Sequence, residues 1–359
     1  MLLLFGICLI RRFLCRDINV SLLNHKYFSS IFVAALIFTV IGAPFVWSAE
    51  LSEPPVLALP IKCNLGIDCY IMHYVDLDPD HEAVDFGCGR QTYHHHDGTD
   101  FGIADLASMK RGVPVLAAAS GIVLRVRDGV ADRLIADQTQ RAHVDHIGCG
   151  NGVVIDHGNG WQTQYCHLRN GSIAVQKGNK ADKGMVLGMV GSSGLASFPH
   201  VHFTVRYLGK VIDPFVGITD VSGCHVSRHP LWEQSPDYIP TGLIRAGFAS
   251  KPPTQTELWQ GEFEAAKADL SSLPALVFWV HVFGVLQGDQ EHFRLIAPNG
   301  RVIVDKEKPM MKHNKSWVSY VGKGNTMDHP LYKGRWRGMY QLKRGEVTLI
   351  NLERIFLVE

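Results

Sequence analysis

The sequence predicts a mainly β protein, with antiparallel sheets in two successive regions, and three observations predict it. From about Val113 onward, short apolar runs alternate with glycine-containing turns: VPVLAAASGIVLRVRDG, GNGVVIDHGNGWQTQYCHL, GMVLGMVGSSG and HVHFTVRYLGKVIDPF. Period-two patterning broken by Gly, Asn and Asp marks strands joined by hairpins. Between about Pro230 and Thr256 the chain turns proline-rich and irregular, the composition of a linker. Beyond it, ALVFWVHVFGVL, FRLIAPNGRVIV with its Pro-Asn-Gly turn, SWVSYVGKG and MYQLKRGEVTLINLERIFLVE read as the strands of a smaller all-β sandwich of about 100 residues. The length of 359 residues suits this two-domain division.

The first 49 residues differ from the rest. Arg11, Arg12, Arg16 and Lys26 precede an almost unbroken apolar run from Ile31 to Trp47, which ends in the small residues Ser48 and Ala49. Charge, then apolar run, then small residues is the layout of a secretory signal peptide. A run of this length also lies at the lower limit for spanning a bilayer, so an uncleaved inner-membrane anchor is the competing expectation. Either way the mature chain is expected outside the cytoplasm, in the periplasm or cell envelope.

Cysteine usage fits an oxidising compartment. Of eight cysteines, Cys8 and Cys15 fall in the targeting segment, which leaves six: Cys63, Cys69, Cys88, Cys149, Cys166 and Cys224. Fifteen connectivities are open to six cysteines. The local pairs Cys63 with Cys69 and Cys149 with Cys166 are the expected ones, leaving Cys88 with Cys224. No CxxC pair occurs, which argues against a structural zinc-cysteine site. With 35 Lys plus Arg against 34 Asp plus Glu, nothing in the overall charge draws the chain to nucleic acid.

The expected organisation is therefore residues 1–49 as signal peptide or anchor, 50–228 as a first β domain, 229–256 as linker and 257–359 as the accessory sandwich. Within the first domain, the polar stretch from Ala131 to Gly148 lacks a strand pattern and reads as a long loop with one helical turn.

Three segments carry candidate chemistry: HDGTD (His96 to Asp100), YCHL (Tyr165 to Leu168) and PHVHF (Pro199 to Phe203). On a strand, residues two apart share a face, so His200 and His202 project together while Val201 and Phe203 point into apolar packing. Two imidazoles are expensive to bury as mere filling, because each ring carries two polar nitrogens. His96 and Asp100 supply an imidazole and a carboxylate with Gly98 between them to let the backbone bend. His96, Asp100 and one of the HVH pair make three protein ligands, the number found at catalytic zinc sites. Tyr165 shares a face with His167 if its strand is regular, though core packing is the simpler role for it.

Other histidine runs carry less. HEAVD (His81 to Asp85) lacks the second histidine of a zinc helix. HVDH (His143 to His146) lies beside Arg141 in a loop-like stretch. Gly148 to Gly152 precedes a strand instead of a helix, so it is no phosphate cradle. His157 sits at a hairpin turn.

Taken together, HxGxD at His96, Gly98 and Asp100, then GNGVVIDHGNGWQTQYCHL, then HVH followed by DPF resemble the lysostaphin-type zinc metallopeptidases, peptidoglycan endopeptidases of the duplicated-hybrid-motif β fold. The resemblance covers about residues 93–216. It implies one zinc ion held by His96, Asp100 and His202, with His167 and His200 as catalytic residues flanking a zinc-activated water. In that register His94 and His95 are bystanders or lie behind the ligands, because His96 alone stands four residues before Asp100 with glycine between. The function implied is an exported zinc-dependent endopeptidase that hydrolyses peptide cross-links of bacterial peptidoglycan. The other reading is a catalytically silent cell-wall-binding regulator of another wall hydrolase. A silent relative would be expected to lack a ligand or flanking residue, and here all five positions are filled.

Overall fold

The computed structural model describes residues 53–263 and 267–359, the side chains of His143 and Asp145 excepted. Residues 1–49, expected to be a signal peptide or anchor, lie outside the described residues. Among these residues no helix is long and apolar enough to cross a membrane.

The first region is built on one large antiparallel sheet. Its strands are β1 (Cys69–His73), β2 (Thr99–Ile103), β4 (Gly121–Arg127), β5 (Asn151–Gly158), β6 (Trp161–Leu168), β7 (Lys180–Ala181), β9 (His200–Tyr207) and β10 (Lys210–Ile212). They run in the order β1-β2-β9-β6-β5-β4-β7, with β10 paired to β9. A two-stranded sheet of β3 (Pro114–Leu116) and β8 (Val186–Met189) stands beside it. The runs read from Val113 onward fall on these strands, and the leading pair, β1 and β2, lies upstream of them.

Strand alternation divides the large sheet into two faces. Phe101, Val153, Ile155, Tyr165, Val201 and Phe203 fill a common apolar core on one side. The opposite face, at the β1, β2, β9 and β6 end, carries the candidate site. Helix α1 (Leu106–Arg111) is capped by Asp105, whose carboxylate accepts from Ser108 N. The Ala131 to Gly148 stretch holds more helix than the expected single turn, namely α2 (Gln138–Val144) and a 3₁₀ turn after it.

The C-terminal region is a sandwich of two sheets. One has the order β11-β13-β16, from β11 (Gly242–Ala249), β13 (Ala275–Val285) and β16 (Asn314–Gly324). The other has the order β12-β18-β17-β14-β15, from β12 (Lys267–Ala268), β14 (Gln290–Ile296), β15 (Val302–Pro309), β17 (Gly334–Arg344) and β18 (Val347–Val358). Phe248, Phe278, Phe293, Leu295, Trp336 and Tyr340 are buried in its core.

Part of the stretch read as linker is structured. Residues 242–249 are β11, paired antiparallel to β13 from Gly242 opposite Phe283 to Ala249 opposite Val277. Glycines and an arginine dilute its apolar alternation (GLIRAGFA), yet Phe248 reaches the sandwich core while Ile244 faces the first region. Helix α3 (Gln255–Gln260) follows, with a capping box between Thr254 and Glu257. Ser52–Glu359 make one compact unit. Across the boundary of the two regions Tyr70 stacks on Phe283 (centroids 5.3 Å), Phe198 stacks on Trp259 (5.8 Å), and Arg245 forms an ion pair with the buried Asp105.

The three disulfides are Cys63–Cys69, Cys88–Cys224 and Cys149–Cys166, the expected pairing. All lie in the first region, and each such bond in an exported domain is worth about 2–5 kcal/mol. Reduction is therefore expected to raise hydrogen exchange in the first region well before the sandwich loosens. Six reactive thiols in the untreated native protein would contradict this.

Candidate metal centre

The site is assembled by strand register. Asp100 on β2 lies directly opposite His202 on β9 on one side and His73 on β1 on the other. Directly opposed residues on neighbouring strands hold their Cβ atoms about 4.5–5.5 Å apart, so the three side chains meet above one face. A register shift between Ile71 and His73 brings His73 onto that face, while Ile71 stays in the core.

His96 enters from the turn before β2, its backbone N–H donating to the Tyr93 carbonyl (2.9 Å). His96 Nε2, Asp100 Oδ1 and His202 Nδ1 then converge, with His96 Nε2 to Asp100 Oδ1 at 3.2 Å, His202 Nδ1 to Asp100 Oδ1 at 2.9 Å, and His96 Nε2 to His202 Nδ1 at 3.2 Å. Three donors on a tetrahedral zinc, each about 2.0–2.2 Å from the ion, stand about 3.3 Å apart. The observed triangle has that size, and a nitrogen, nitrogen, oxygen donor set suits zinc.

Hydrogen bonds behind the triangle aim its donors. A carbonyl can only accept, so the 2.6 Å contact of His96 Nδ1 with Tyr74 O places the proton on Nδ1 and leaves the Nε2 lone pair facing the site. Asp97 Oδ1 lies 3.1 Å from His202 Nε2 and Thr204 Oγ1 at 3.1 Å, which keeps a proton on Nε2 and turns Nδ1 towards the site. Arg206 holds Asp97 in turn (2.8 Å). His73 Nδ1 meets Asp100 Oδ2 at 2.9 Å, leaving Oδ1 for the centre.

The electrostatics favour positive charge at this point. Burial pushes the Asp100 carboxyl up, but the charges of His96 and His200 and the bonds from His202 and His73 hold it well below the usual range. Burial also opposes a charge on His202, yet its bonds to Asp100 and Asp97 outweigh this and raise its pKa to about 9. His73, by contrast, is pushed down to about 4, chiefly by burial, and so remains neutral.

His167 and His200 stand beside the triangle, with their rings 4.6 Å apart. Their Nδ1–H groups donate to Ser193 O and Phe198 O, both at 2.8 Å, so each presents an unprotonated Nε2. His200 Nε2 is 3.6 Å from Asp100 Oδ1. Burial disfavours the charged form of both imidazoles: His167 falls well below its ordinary pKa, helped by His200 and His202, and His200 is lowered as well.

His167 reaches the site through a break in β6. Asn151 pairs with Leu168 and Val153 with Tyr165, so Cys166 and His167 together oppose Gly152, and His167 adopts φ +63°. This undoes the expectation that Tyr165 shares its face. Tyr165 is fully buried, its hydroxyl accepts from Ala118 N (2.8 Å), and its ring packs on Phe203 (5.3 Å).

Gly98 has a different reason from backbone freedom. A Cβ there would come within 2.6 Å of His202 Nε2 and 2.8 Å of Phe203 O, so glycine lets the loop lie against the His202 ring. His94 and His95 are exposed, with their rings tilted against each other at 4.0 Å. His81 pairs with Asp78 outside any helix, and Asp85 accepts from Gly87 N, Gly89 N and Gln91 N as the anchor of a turn. His157 joins Ser120 O to Thr163 Oγ1.

Residues 94–214 match the family model described as Peptidase family M23. This stretch is a Peptidase family M23 domain. Over 118 residues it is 32% identical to the peptidoglycan DD-endopeptidase ShyA of Vibrio cholerae, covering 33% of this chain and 22% of that protein. Over 124 residues it is 33% identical to the DD-carboxypeptidase/endopeptidase Mpg of Neisseria meningitidis, covering 34% and 23%. The chain thus spans less than a quarter of these curated relatives. A solved zinc-containing peptidase from Vibrio cholerae aligns at 24% identity over 40% of this chain and 38% of that one, with a TM-score of 0.27.

The sequence motifs of the M23 domain contain neither His73 nor Thr204 among the candidates, although both brace the centre. Thr204 had a signal, since it follows His202 by two on the same strand face. His73 had none, because only the β1 to β2 register brings it to Asp100.

Proposed function

We propose that the protein is an exported zinc-dependent endopeptidase that hydrolyses peptide cross-links of bacterial peptidoglycan. The observation that carries this reading is the buried triangle of His96 Nε2, Asp100 Oδ1 and His202 Nδ1, flanked by His167 and His200, whose Nδ1–H groups are each tied to a backbone carbonyl. In this reading those three residues bind one zinc ion and His167 and His200 are catalytic. The names of the relatives make bonds between D-amino acids the first to test.

Zinc, when bound, supplies Lewis acidity to a peptide carbonyl and makes a water acidic near neutral pH. The chain's own residues handle the proton. An unprotonated Nε2 on His167 or His200 accepts it from the attacking water, and the same nitrogen then donates it to the departing amine. Ser193 O and Phe198 O hold the rings in the tautomer that this requires. The exported, disulfide-bonded layout suits an enzyme of the periplasm or cell envelope.

Purified protein is expected to contain one zinc per chain and to cleave defined cross-linked peptides. Chelation should abolish turnover and zinc should restore it. Full turnover by metal-free protein would sink the zinc reading. A zinc-loaded protein that binds such peptides without cleaving them would support a silent regulator instead.

A further inference from the structure

The cleft over the metal centre is completed by the C-terminal sandwich. It has a volume of about 610 Å³, and while His73, Asp100, His167 and His200 form one side, Trp259 and Lys315 from the second region form part of the other. Lys315, on β16, crosses to the first region, where its ammonium donates to the Thr92 carbonyl and stands 5.2 Å from the Tyr93 ring centroid. One of its three N–H donors is thereby used, and two remain for a ligand.

No carboxylate pairs with this cation among the described residues; Asp100 and Asp76 act on it only at longer range. Each is engaged elsewhere, Asp100 by His73 and His202, Asp76 by the backbone N–H groups of Asp78, Val84 and His95. The remaining acid on the cleft, Asp137, accepts from Gln140 N at the start of α2. Loss of water around Lys315, with the charge of Arg90 nearby, pushes its pKa down to about 8, which is the signature of a cation short of a counter-charge.

We infer that Lys315 is a specificity-determining residue whose ammonium binds a free carboxylate of the peptide substrate beside the scissile bond. The inference rests on the endopeptidase reading for the identity of the substrate. It also gives the sandwich a task, because β16 carries the cation into a cleft whose metal-side residues all come from the first region. The Tyr93 ring and the Thr92 carbonyl both hold the Lys315 ammonium, so little side-chain freedom is left to lose on binding. The carboxylate can be a chain-terminal one or a side-chain one; the shared chemistry is a planar anion that accepts charge-assisted hydrogen bonds.

Two peptide pairs distinguish these sources, one differing only in a C-terminal carboxylate against a carboxamide, the other only in a side-chain carboxylate against its carboxamide. Equilibrium binding to the zinc-loaded full chain is measured by calorimetry alongside kcat/KM. For one pair the carboxylate form is expected to bind at least about 10-fold more tightly, the range of a charge-assisted bond. Lys315→Gln should bring that ratio close to one, and Lys315→Arg should retain most of it. Zinc content and melting temperature report whether each variant is folded; if Lys315→Gln is not, the wild-type ratios and Lys315→Arg still decide. Equal binding within both pairs by the wild type would overturn the assignment. So would a preference that survives Lys315→Gln and disappears in Arg141→Gln, the other cation on the cleft. Cleavage without carboxylate preference would remove this inference and leave the endopeptidase reading standing. Carboxylate-dependent binding without cleavage of any peptide would do the reverse.

Discussion

Asp100→Ala is expected to release zinc and abolish hydrolysis together. Asp100 is the hub of the centre: Oδ1 faces His96 Nε2 at 3.2 Å and His202 Nδ1 at 2.9 Å, and Oδ2 accepts from His73 at 2.9 Å. Alanine leaves two neutral ligands, removes the only negative charge in the triangle, and strands the buried His73 proton without an acceptor. His202→Ala and His96→Ala should act in the same direction, since each removes one of only three protein donors. Asp97→Ala is the graded comparison. It takes away one of the two acceptors that orient His202, and a lost partner of this kind costs about 10- to 100-fold in metal affinity or activity. Zinc content by metal analysis, read beside kcat for every variant, checks the series. His95→Ala should retain both, because His95 lies exposed. Loss of metal from His95→Ala with retention in His96→Ala would overturn the ligand register.

His167→Ala and His200→Ala should separate the two readouts. Neither ring belongs to the donor triangle, and each is held from behind by a backbone carbonyl, so zinc should stay bound. Turnover should nevertheless fall by about 10²- to 10⁴-fold, the contribution of a positioned general acid or base. The two losses should not add in the double variant, since residues that act on one proton function as a unit. His200 carries a further sensitivity: its ring stacks on Phe198 (4.2 Å), which itself stacks on Trp259 of the C-terminal region. If His200→Ala lost zinc while His202→Ala kept it, the two members of the HVH pair would exchange roles.

Several features of this protein were legible in the residues themselves. Strand alternation alone places His200 and His202 on one face and Val201 and Phe203 in the core, because a period of two is a local property of the extended backbone. The same local rule located the hairpins from Val113 onward and the strands of the sandwich. The spacing of His96, Gly98 and Asp100 marked the second half of the centre, although the reason for Gly98 came from packing against the His202 ring. Strand β11 was hidden, because its glycines and arginine dilute the apolar pattern that pairing with β13 makes up for.

What the sequence by itself determined is thus the inventory: a mainly β chain, an even set of six cysteines after residue 49, and three histidine-bearing segments able to share one cation. Which nitrogen of each ring faces that point was decided only by the tertiary structure, because it depends on carbonyls and carboxylates far away in the chain, such as Tyr74 O behind His96 and Ser193 O behind His167. The same holds for His73, brought to Asp100 by strand register, and for Tyr165, turned away from His167 by a break in β6. Lys315 is the extreme case. It lies more than 200 residues from His96 in sequence, and only the packing of the sandwich against the first sheet brings its charge to the cleft. Periodicity and spacing are short-range properties that a sequence displays directly, whereas register, bulges and the meeting of distant surfaces are settled by packing of the whole chain.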